Sequence, residues 1–559
     1  MTEWDESFDV VVVGSGAGGF MGAIKAATAG LTVLLIEKAD VWGGTSALSG
    51  GGVWVPNNPL MERDGDPDSP EEALTYMEEV VEDVGPASSR IRKIAYIANA
   101  RRMMEFAMSQ GFQWERARYY PDYYPDRPGG KIGRIVEGMI FDGKTLGEWR
   151  SSQRRSSQGA PAMAFKTDDV YLLPLATRTP KAALRLATIL ARTAWWKLTG
   201  REPMAIGQNL TAQLMSIFLK TTAELRLSTP LVGLVSGGGR VTGVVVRENG
   251  RDKRIEAKHG VLLAAGGFAH NEAFRSEHQP VDGTWSLSSP DDEGDGIIIP
   301  MADLPVATAL MDEAWWGPST QNAEGEMGFP VWERSLPHSI IVDQTGARFC
   351  NESESYVDAG RRQLDRNETV SAIPAWLILE NRHRKRYMFG SAPGGRTPQR
   401  WLDTGFFIKS ESLSDLAEAC GIDKAGLLAT VERFNGFADR GVDEDFGRGR
   451  TAYDNYYGDP RVKPNPNLGR LEQGPFYAVK IFPGDLGTKG GLLTDEYARA
   501  IDTGGKVIEG LYATGNNTAS VMGRTYPGPG ATLGPSLTFG FIAASHMAGE
   551  DVDLPNIGV

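Results

Sequence analysis

A strand, a glycine-rich turn and a helix start at the beginning of the chain constrain the fold more than any other feature. Residues 10–13 are four consecutive valines, a pattern typical of a buried parallel strand. The turn Gly14-Ser-Gly-Ala-Gly-Gly19 follows directly. Gly14 permits a tight turn, Gly16 lets the backbone approach a pyrophosphate, and Gly19 lets the helix pack closely on the strand. These residues predict a βαβ unit that binds a dinucleotide at a helix N-terminus.

Glu37 closes the next predicted strand, where an acid about 20 residues after the glycines can accept hydrogen bonds from ribose hydroxyls. The fingerprint alone leaves the identity of the dinucleotide open. Three later segments bear on it: a loop of glycines and hydroxyl residues at 43–52, and strand-and-turn segments at 260–267 and 510–516. In this order, the segments resemble the FAD-binding flavoproteins of the fumarate reductase and succinate dehydrogenase group.

This resemblance implies an α/β fold in which a discontinuous, Rossmann-like FAD-binding domain carries an inserted α+β catalytic domain. We expect residues 1–317 and 488–559 to form the first domain and residues 318–487 to form the second. The residues expected to contact FAD are Gly14, Ser15, Gly16, Ala17, Gly18, Glu37, Lys38, Gly44, Thr45, Ser46, Gly51, Gly52, Val232, Ala265, Gly266, Gly515, Asn516, Ala531 and Leu533.

Charge and cysteine content exclude several classes of function. The formal net charge of −13 argues against nucleic acid as a partner. The two cysteines, Cys350 and Cys420, provide neither a disulfide framework nor metal-ligand spacing, so we expect no metal site. The acidic N-terminus lacks the pattern of a signal peptide, and no run of 18 apolar residues occurs. We therefore expect a cytoplasmic location.

Residues 125–206 form a predicted basic amphipathic insertion that ends in a helix at 180–198, with Thr179 as N-cap and Pro180 as its first residue. On a helical wheel, one face carries Lys181, Arg185, Thr188 and Arg192. The other face carries Ala183, Leu184, Ala187, Leu190, Ala191, Ala194, Trp195 and Leu198. Such a helix suits an anionic membrane surface, which predicts peripheral attachment to the inner face of the cell membrane. The alternative is a helix that packs on its own domain or on another subunit.

Tyrosine-containing loops are the best candidates for chemistry. The loop Tyr526-Pro-Gly-Pro-Gly530 combines prolines that fix φ with glycines that leave backbone N–H groups accessible. A phenol and a backbone N–H four residues apart can converge on one carbonyl oxygen and stabilise an enolate. A Pro-Gly turn with a packed tyrosine remains the alternative explanation of this loop.

Four motifs together resemble those of the 3-ketosteroid Δ1-dehydrogenases: Pro121-Asp-Tyr-Tyr124, Asn351-Glu-Ser-Glu-Ser-Tyr356, Gly484-Asp-Leu-Gly-Thr-Lys-Gly-Gly491 and Tyr526-Pro-Gly-Pro-Gly530. The resemblance, which extends to the cholest-4-en-3-one type, implies an active site that contains Tyr123, Tyr356, Tyr526 and Gly530. It also implies that Tyr526 and Gly530 bind the C3 ketone oxygen of a steroid substrate. Tyr356 then removes a C2 proton with the support of Tyr123, and FAD takes hydride from C1.

No second redox centre is apparent in the sequence, so reoxidation is expected to need an external acceptor such as a quinone. Two other enzymes remain as alternatives: a ketosteroid dehydrogenase that acts at C4–C5, and a fumarate reductase-like flavoenzyme. The alternative outside enzymes is a membrane-associated flavin-binding protein. Bleaching of a yellow protein by a 4-en-3-one steroid, without an acceptor, distinguishes the first interpretation from this last one.

Overall fold

The computed structural model describes residues 3–155 and 163–555, and its strands fall into two large sheets and three small ones. The strands are β1 (Glu6–Val13), β2 (Val33–Ile36), β3 (Val53–Trp54), β4 (Trp114–Arg116), β5 (Ile135–Gly138), β6 (Phe141–Asp142), β7 (Pro203–Met204), β8 (Glu224–Arg226), β9 (Leu231–Gly237), β10 (Arg240–Glu248), β11 (Arg251–Leu263), β12 (Thr308–Ala309), β13 (Ala314–Gln321), β14 (Met327–Gly328), β15 (Ser339–Val342), β16 (Ala375–Leu379), β17 (Ile408–Ser410), β18 (Phe476–Thr488), β19 (Gly491–Leu492), β20 (Arg499–Ile501) and β21 (Val507–Ala513).

The α-helices of the described residues lie between and on these sheets. They are α1 (Ala17–Thr28), α2 (Gly44–Leu48), α3 (Pro59–Arg63), α4 (Pro70–Val80), α5 (Arg90–Ser109), α6 (Thr167–Val170), α7 (Pro180–Leu198), α8 (Ile206–Phe218), α9 (Glu272–Ser276), α10 (Asp295–Asp303), α11 (Tyr356–Asn367), α12 (Asn381–Arg386), α13 (Gln399–Asp403), α14 (Leu413–Cys420), α15 (Lys424–Arg440), α16 (Ala452–Tyr456) and α17 (Leu533–Met547). None of those helices is both long and apolar enough to cross a bilayer.

The predicted βαβ unit forms at the start of the chain. Strand β1 pairs in parallel with β2 and β11, and the valines of β1 are buried. Gly14 turns the chain with φ +101°, a conformation that side chains other than glycine rarely adopt. A Cβ on Gly19 would lie 1.9 Å from the carbonyl oxygen of Gly14, so only glycine allows α1 to begin this close to the strand. The predicted roles of these two glycines are confirmed.

The first sheet joins the two ends of the chain. Its order is β20-β21-β10-β11-β1-β2-β8, with β9 paired to β10, and β21 lies in parallel beside β11. Helix α17 packs along α1, where a Cβ on Gly540 would lie 2.4 Å from the carbonyl oxygen of Gly18. The predicted fold class, a discontinuous Rossmann-like domain with an insertion, is therefore confirmed.

The second large sheet is antiparallel and positions the far side of the site. Its order is β14-β13-β18-β16-β15, with β17 paired to β18. Hydrophobic clusters cover both of its faces, one of them contributed by α14 and α15. The predicted boundaries at 318 and 487 fall within β13 and β18, two strands of this sheet that pair with each other. The exact domain division stays a prediction.

The predicted helix at 180–198 is present as α7, and the Thr179 hydroxyl accepts a hydrogen bond from the N–H of Ala182. Residues 156–162 of the predicted insertion lie outside the described residues. Helix α7 packs on the rest of the chain through the buried residues Ala182, Ile189 and Thr193. The predicted apolar face is exposed along its whole length: Ala183, Leu184, Ala187, Leu190, Ala191, Ala194, Trp195 and Leu198.

The basic residues of α7 lie differently from the prediction. Arg185 and Arg192 form ion pairs of 2.5 and 2.8 Å with the buried carboxylate of Asp169 in α6. These two residues of the predicted basic face are therefore partly exposed and already paired with an acid of the chain, and contact of the helix with a membrane stays a prediction. The acid that pairs with both of them comes from an earlier segment, so the absence of acids within α7 itself gave no indication of the pairing.

Candidate active site

A single cavity of about 970 Å³ runs from the glycine-rich turn after β1 to the start of α11. This volume lies at the upper end of the range for ligand sites, about 300–1,000 Å³. Its walls come from the first sheet, from α2, from α6 of the insertion, and from the segments around β14 and α17. The cavity therefore brings together the predicted cofactor segments and the predicted tyrosines.

The nucleotide end of the cavity is built around the N-terminus of α1, whose first turn carries no acid. Glu37 accepts hydrogen bonds from the backbone N–H of Ser15 at 3.0 Å and from its hydroxyl at 2.6 Å. A Cβ on Gly44, where φ is +49°, would meet no protein atom within 4 Å. A helix N-terminus without an acid in its first turn, on a cavity wall that also contains this open glycine, suits a pyrophosphate, and these residues therefore fit a dinucleotide.

Almost all of the predicted cofactor residues line the cavity. The exceptions are Val232 and Ala531. Val232 follows Leu231, which does line the wall, and Ala531 is buried behind Gly530 and Thr532. The structure thus does not bring these two side chains to the cavity.

Asp292 is a cavity residue that the sequence analysis did not assign to the site. It is buried and accepts a hydrogen bond of 2.8 Å from the hydroxyl of Thr45. Burial raises the pKa of its carboxyl to about 7. The run of acids and glycines at 291–296 was the available signal, but without the fold it is indistinguishable from an ordinary surface loop.

The three predicted tyrosines converge at the other end of the cavity. The ring centres of Tyr123, Tyr356 and Tyr526 lie 5.2 to 5.4 Å apart, and all three side chains are buried. They come from the segment after β4, from the start of α11 and from the loop before α17. Residues that are distant in the sequence therefore form one compact group of phenols.

Gly530 and Tyr526 lie together as the sequence predicts for an oxyanion site. The backbone N–H of Gly530 points at the phenol oxygen of Tyr526, with a nitrogen-to-oxygen distance of 3.3 Å. A Cβ on Gly530 would lie 2.4 Å from the carbonyl oxygen of Gly52, and its φ is +89°. Glycine is therefore required here, and two hydrogen-bond donors lie side by side on the cavity wall.

The environment of Tyr356 disfavours its charged form. Burial raises the pKa of its phenol well above the usual range, and Tyr526 adds to this effect, whereas the hydroxyl of Tyr123 acts in the opposite direction. Burial likewise raises the pKa of Tyr526, while hydrogen bonds from Tyr356, Thr532 and Gly530 lower it. Tyr356 is therefore a neutral phenol at neutral pH, and Tyr123 is the neighbour that eases its ionisation.

Apolar and aromatic side chains surround the phenols. Phe329 packs against Tyr356 with ring centres 5.0 Å apart. Val331, Trp332 and Leu486 also line the cavity. The basic cavity residues with ion pairs lie near the nucleotide end: Lys38 pairs with Glu293 and Asp295, and Arg154 pairs with Asp291.

The sequence matches the family described as FAD binding domain over residues 9–533. It is 43% identical to a 3-oxosteroid 1-dehydrogenase of Mycolicibacterium smegmatis, with 97% of each chain covered. It is 35% identical to a 4-oxocyclohexanecarboxylate 2-dehydrogenase of Sinomonas cyclohexanicum, with 97% of this chain and 93% of the relative covered.

The solved structure of a 3-ketosteroid delta1-dehydrogenase from Sterolibacterium denitrificans, in complex with 1,4-androstadiene-3,17-dione, has the same fold with a TM-score of 0.92. The two sequences are 39% identical, and the match covers 97% of this chain and 100% of that one. The resemblance inferred from the motifs is thus confirmed along the whole chain.

Proposed function

This chain belongs to the family of FAD-binding flavoproteins that contains the 3-oxosteroid 1-dehydrogenases, and from that premise we propose that it desaturates the C1–C2 bond of 3-oxo-4-ene steroids. The observation that carries the proposal is the pair of donors at Tyr526 and Gly530, beside the buried phenol of Tyr356. Ketone binding and proton removal are the two tasks that the chain itself must perform in this reaction.

The donor pair activates the ketone. The hydroxyl of Tyr526 and the N–H of Gly530 would both donate to the C3 oxygen of the substrate, where negative charge develops when a C2 proton leaves. The buried, water-poor wall strengthens these hydrogen bonds, and a single such donor typically contributes about 10²–10³ in rate. The two donors thereby acidify the C2–H bond.

Tyr356 is the proposed base. Its phenol oxygen takes the proton from C2, and the electron pair of the C2–H bond forms the new C1=C2 bond as hydride leaves C1. Tyr123 lowers the cost of ionising Tyr356 by hydrogen bonding to it. FAD, when bound, supplies the two-electron oxidant that accepts this hydride.

The cavity wall favours an apolar ketone over a carboxylated one. A cyclohexanone carboxylate needs a cation or several donors for its carboxylate, whereas Phe329, Val331, Trp332 and Leu486 line the wall near the phenols. Of the Lys and Arg residues that line the cavity, Lys38 and Arg154 are paired with acids near the nucleotide end, and Arg155 directly follows Arg154. A steroid with an alkyl side chain, such as cholest-4-en-3-one, fits this distribution.

Anaerobic reduction of the yellow enzyme tests the function. A 4-en-3-one steroid should bleach the flavin absorbance without an added acceptor and yield the 1,4-diene-3-one. The matched control is the corresponding 3β-hydroxysteroid, which lacks the ketone and should leave the colour unchanged. 4-Oxocyclohexanecarboxylate serves as the second control. Bleaching by that carboxylate but not by the steroid would overturn the assignment.

We further propose that the exposed apolar face of α7 rests on a lipid bilayer. Leu184, Trp195 and Leu198 are 71%, 65% and 84% exposed, higher than the other large apolar side chains of the described residues. Helix α7 is tied by Arg185 and Arg192 to α6, whose residues Thr167 and Val170 line the cavity. Helix α7 is therefore one helix away from the cavity wall, and in our proposal an insoluble steroid passes from lipid into the enzyme on this side.

In our proposal, most of the free energy of membrane attachment comes from burying apolar side chains of α7 in the bilayer. Inserting each of the three large side chains contributes about 1.5–3 kcal/mol. Arg185 and Arg192 are already paired with Asp169, whereas Lys181 and Lys197 are exposed, so salt should weaken the attachment in part and not abolish it. We propose the inner face of the cell membrane as the location of the enzyme. The electrons taken from the substrate would then pass to an external acceptor, for which a membrane quinone is the natural candidate.

Vesicle co-sedimentation tests the membrane proposal. Wild-type holoenzyme should sediment with vesicles, and the triple variant Leu184→Ser, Trp195→Ser and Leu198→Ser should remain in the supernatant. Val442→Ser is the control, because Val442 is also exposed but lies just after α15. Equal sedimentation of all three proteins would contradict the proposal. So would a wild-type dimer that the triple variant loses, because a second copy would then cover the face.

A further inference from the structure

Lys489 is a buried lysine behind Tyr526, and the proposed chemistry does not use it. Its side chain has no exposed surface. Its Nζ donates a hydrogen bond of 2.6 Å to the carbonyl oxygen of Thr525 and lies 4.3 Å from the ring centre of Trp315. Neither contact is with a carboxylate, and a buried cation with such partners is costly unless it performs a task.

Both contacts lead to Tyr526. Thr525 immediately precedes Tyr526, so the bond from Lys489 fixes the peptide that sets the direction of the tyrosine. Trp315 packs against Tyr526 with ring centres 5.1 Å apart, and its Nε1 donates to Asn516 at 3.1 Å. Asn516 lines the cofactor side of the cavity. Lys489 thus contacts both the backbone next to Tyr526 and the tryptophan that packs on the Tyr526 ring. The same tryptophan is bonded to Asn516 on the cofactor side of the cavity.

The charge on Lys489 is sensitive to pH. Burial lowers the pKa of its ammonium group to about 7. The carboxylates of Glu313 and Asp358 favour the charged form, and the guanidinium groups of Arg361 and Arg524 oppose it. These four groups come from the segment before β13, from α11 and from the loop before Tyr526. The lysine therefore changes charge within the range in which enzymes are ordinarily assayed.

We propose that Lys489 is a positioning residue that, as an ammonium ion, holds the hydroxyl of Tyr526 against the ketone oxygen of the substrate. The proposal rests on the function proposed above. An ammonium group donates a stronger hydrogen bond to Thr525 than a neutral amine does, and only the cation is attracted to the face of Trp315. Loss of the charge loosens both contacts, and Tyr526 then donates less effectively to the ketone oxygen.

Substitution by methionine tests the role, because methionine keeps most of the volume and removes both the donor and the charge. Lys489→Met should lower kcat about tenfold, less than the loss of a direct oxyanion donor, with little change in KM. Lys93→Met is the matched control: Lys93 is also buried and bonded to a backbone carbonyl, but the acceptor is Val81, which neither lines the cavity nor precedes a tyrosine of the site. It should keep the wild-type kcat. A Lys489→Met enzyme with wild-type kcat would overturn the proposal.

A double-mutant cycle shows whether Lys489 acts through Tyr526. If it does, adding Lys489→Met to Tyr526→Phe should lower kcat little further, since the hydroxyl to be positioned is already gone. A full additional tenfold loss, as expected for independent residues, would contradict the proposal. A wild-type enzyme that oxidises no 3-oxosteroid would overturn the proposed function, and with it the role proposed for Lys489.

Lys489→Arg provides a second test if the methionine variant does not fold. Deprotonation of Tyr356 should raise kcat with pH, and loss of the Lys489 proton should make that rise shallower just above about pH 7 in the wild-type enzyme. Arginine stays charged, so in Lys489→Arg the rise should continue above that pH. Identical pH profiles for the two enzymes would overturn the proposal, whatever their absolute rates.

Discussion

The tyrosine group and the outer face of α7 are opposite exceptions to the usual distribution of residues. At the tyrosine group, the hydroxyl-bearing side chains of Tyr123, Tyr356 and Tyr526 are buried. On α7, Leu184 and Leu198 are more than two-thirds exposed. Buried polar groups are costly unless they bind one another or a ligand, and exposed apolar groups indicate a missing partner. The buried tyrosines therefore indicate a catalytic site, and the exposed apolar face of α7 indicates a surface that, in our proposal, binds a bilayer.

Removal of the proposed base should have the largest effect. Tyr356→Phe should lower kcat about 10³–10⁴-fold, because only the proton acceptor is lost, while steroid and FAD binding remain. Stopped-flow measurement of flavin bleaching gives the rate, and a spectral titration gives the affinity. Tyr387→Phe is the control, since Tyr387 is fully buried and bonded to Asp459 at 2.7 Å outside the cavity. Substantial activity in Tyr356→Phe would require a different base.

Removal of one oxyanion donor should have the next largest effect. Tyr526→Phe should lower kcat about 10²-fold, because Gly530 still donates to the ketone oxygen. In contrast to Tyr356→Phe, it should also weaken steroid binding, since the hydrogen bond exists before the proton leaves. The same two measurements separate these cases. Unchanged affinity together with a normal rate would show that Tyr526 is only a packed side chain.

Breaking the ion pairs on the inner side of α7 should have a smaller effect, and this effect concerns the packing of α7 and not the tyrosine group. Asp169→Asn removes the carboxylate that holds Arg185 and Arg192, and should weaken the docking of α7 by about 1–3 kcal/mol. Hydrogen exchange of the α7 amides should become faster, while the rest of the protein stays protected. Asp445→Asn, which breaks the more exposed pair with Arg433, is the control. Unchanged exchange in α7 would contradict a structural role for Asp169.

The pH should affect the tyrosine group and leave the apolar face unaffected. Because burial raises the pKa of Tyr356, its phenolate is a minor species that becomes about tenfold more abundant per pH unit. Below pH 7, the desaturation rate should therefore rise with pH. Vesicle binding should stay constant over the same range, since Leu184, Trp195 and Leu198 do not titrate. A rate that falls with pH in this range would argue against a tyrosine base.

The glycine-rich turn and the tyrosine motifs illustrate how far the sequence could predict the site. Gly14 and Gly19 were predictable because each is required by backbone geometry within a few residues. Tyr123, Tyr356 and Tyr526 were found through a resemblance, and they do converge. Asp292 and Lys489 were not assigned to the site. They lie in the acidic run 291–296 and in the motif Gly484–Gly491, but neither stretch by itself indicates which side chain is buried beside the site.

The sequence by itself determined the dinucleotide cradle, the helix at 180–198 and the types of residue available for proton removal. Each of these depends on local backbone requirements or on the spacing of residues along one element. The tertiary structure decided that Asp169 pairs with both Arg185 and Arg192, and that Lys489 lies behind Tyr526. Ion pairs depend on the distance between charged groups, and pKa shifts depend on burial as well. Residues far apart in the sequence come close together and become buried only when the chain folds.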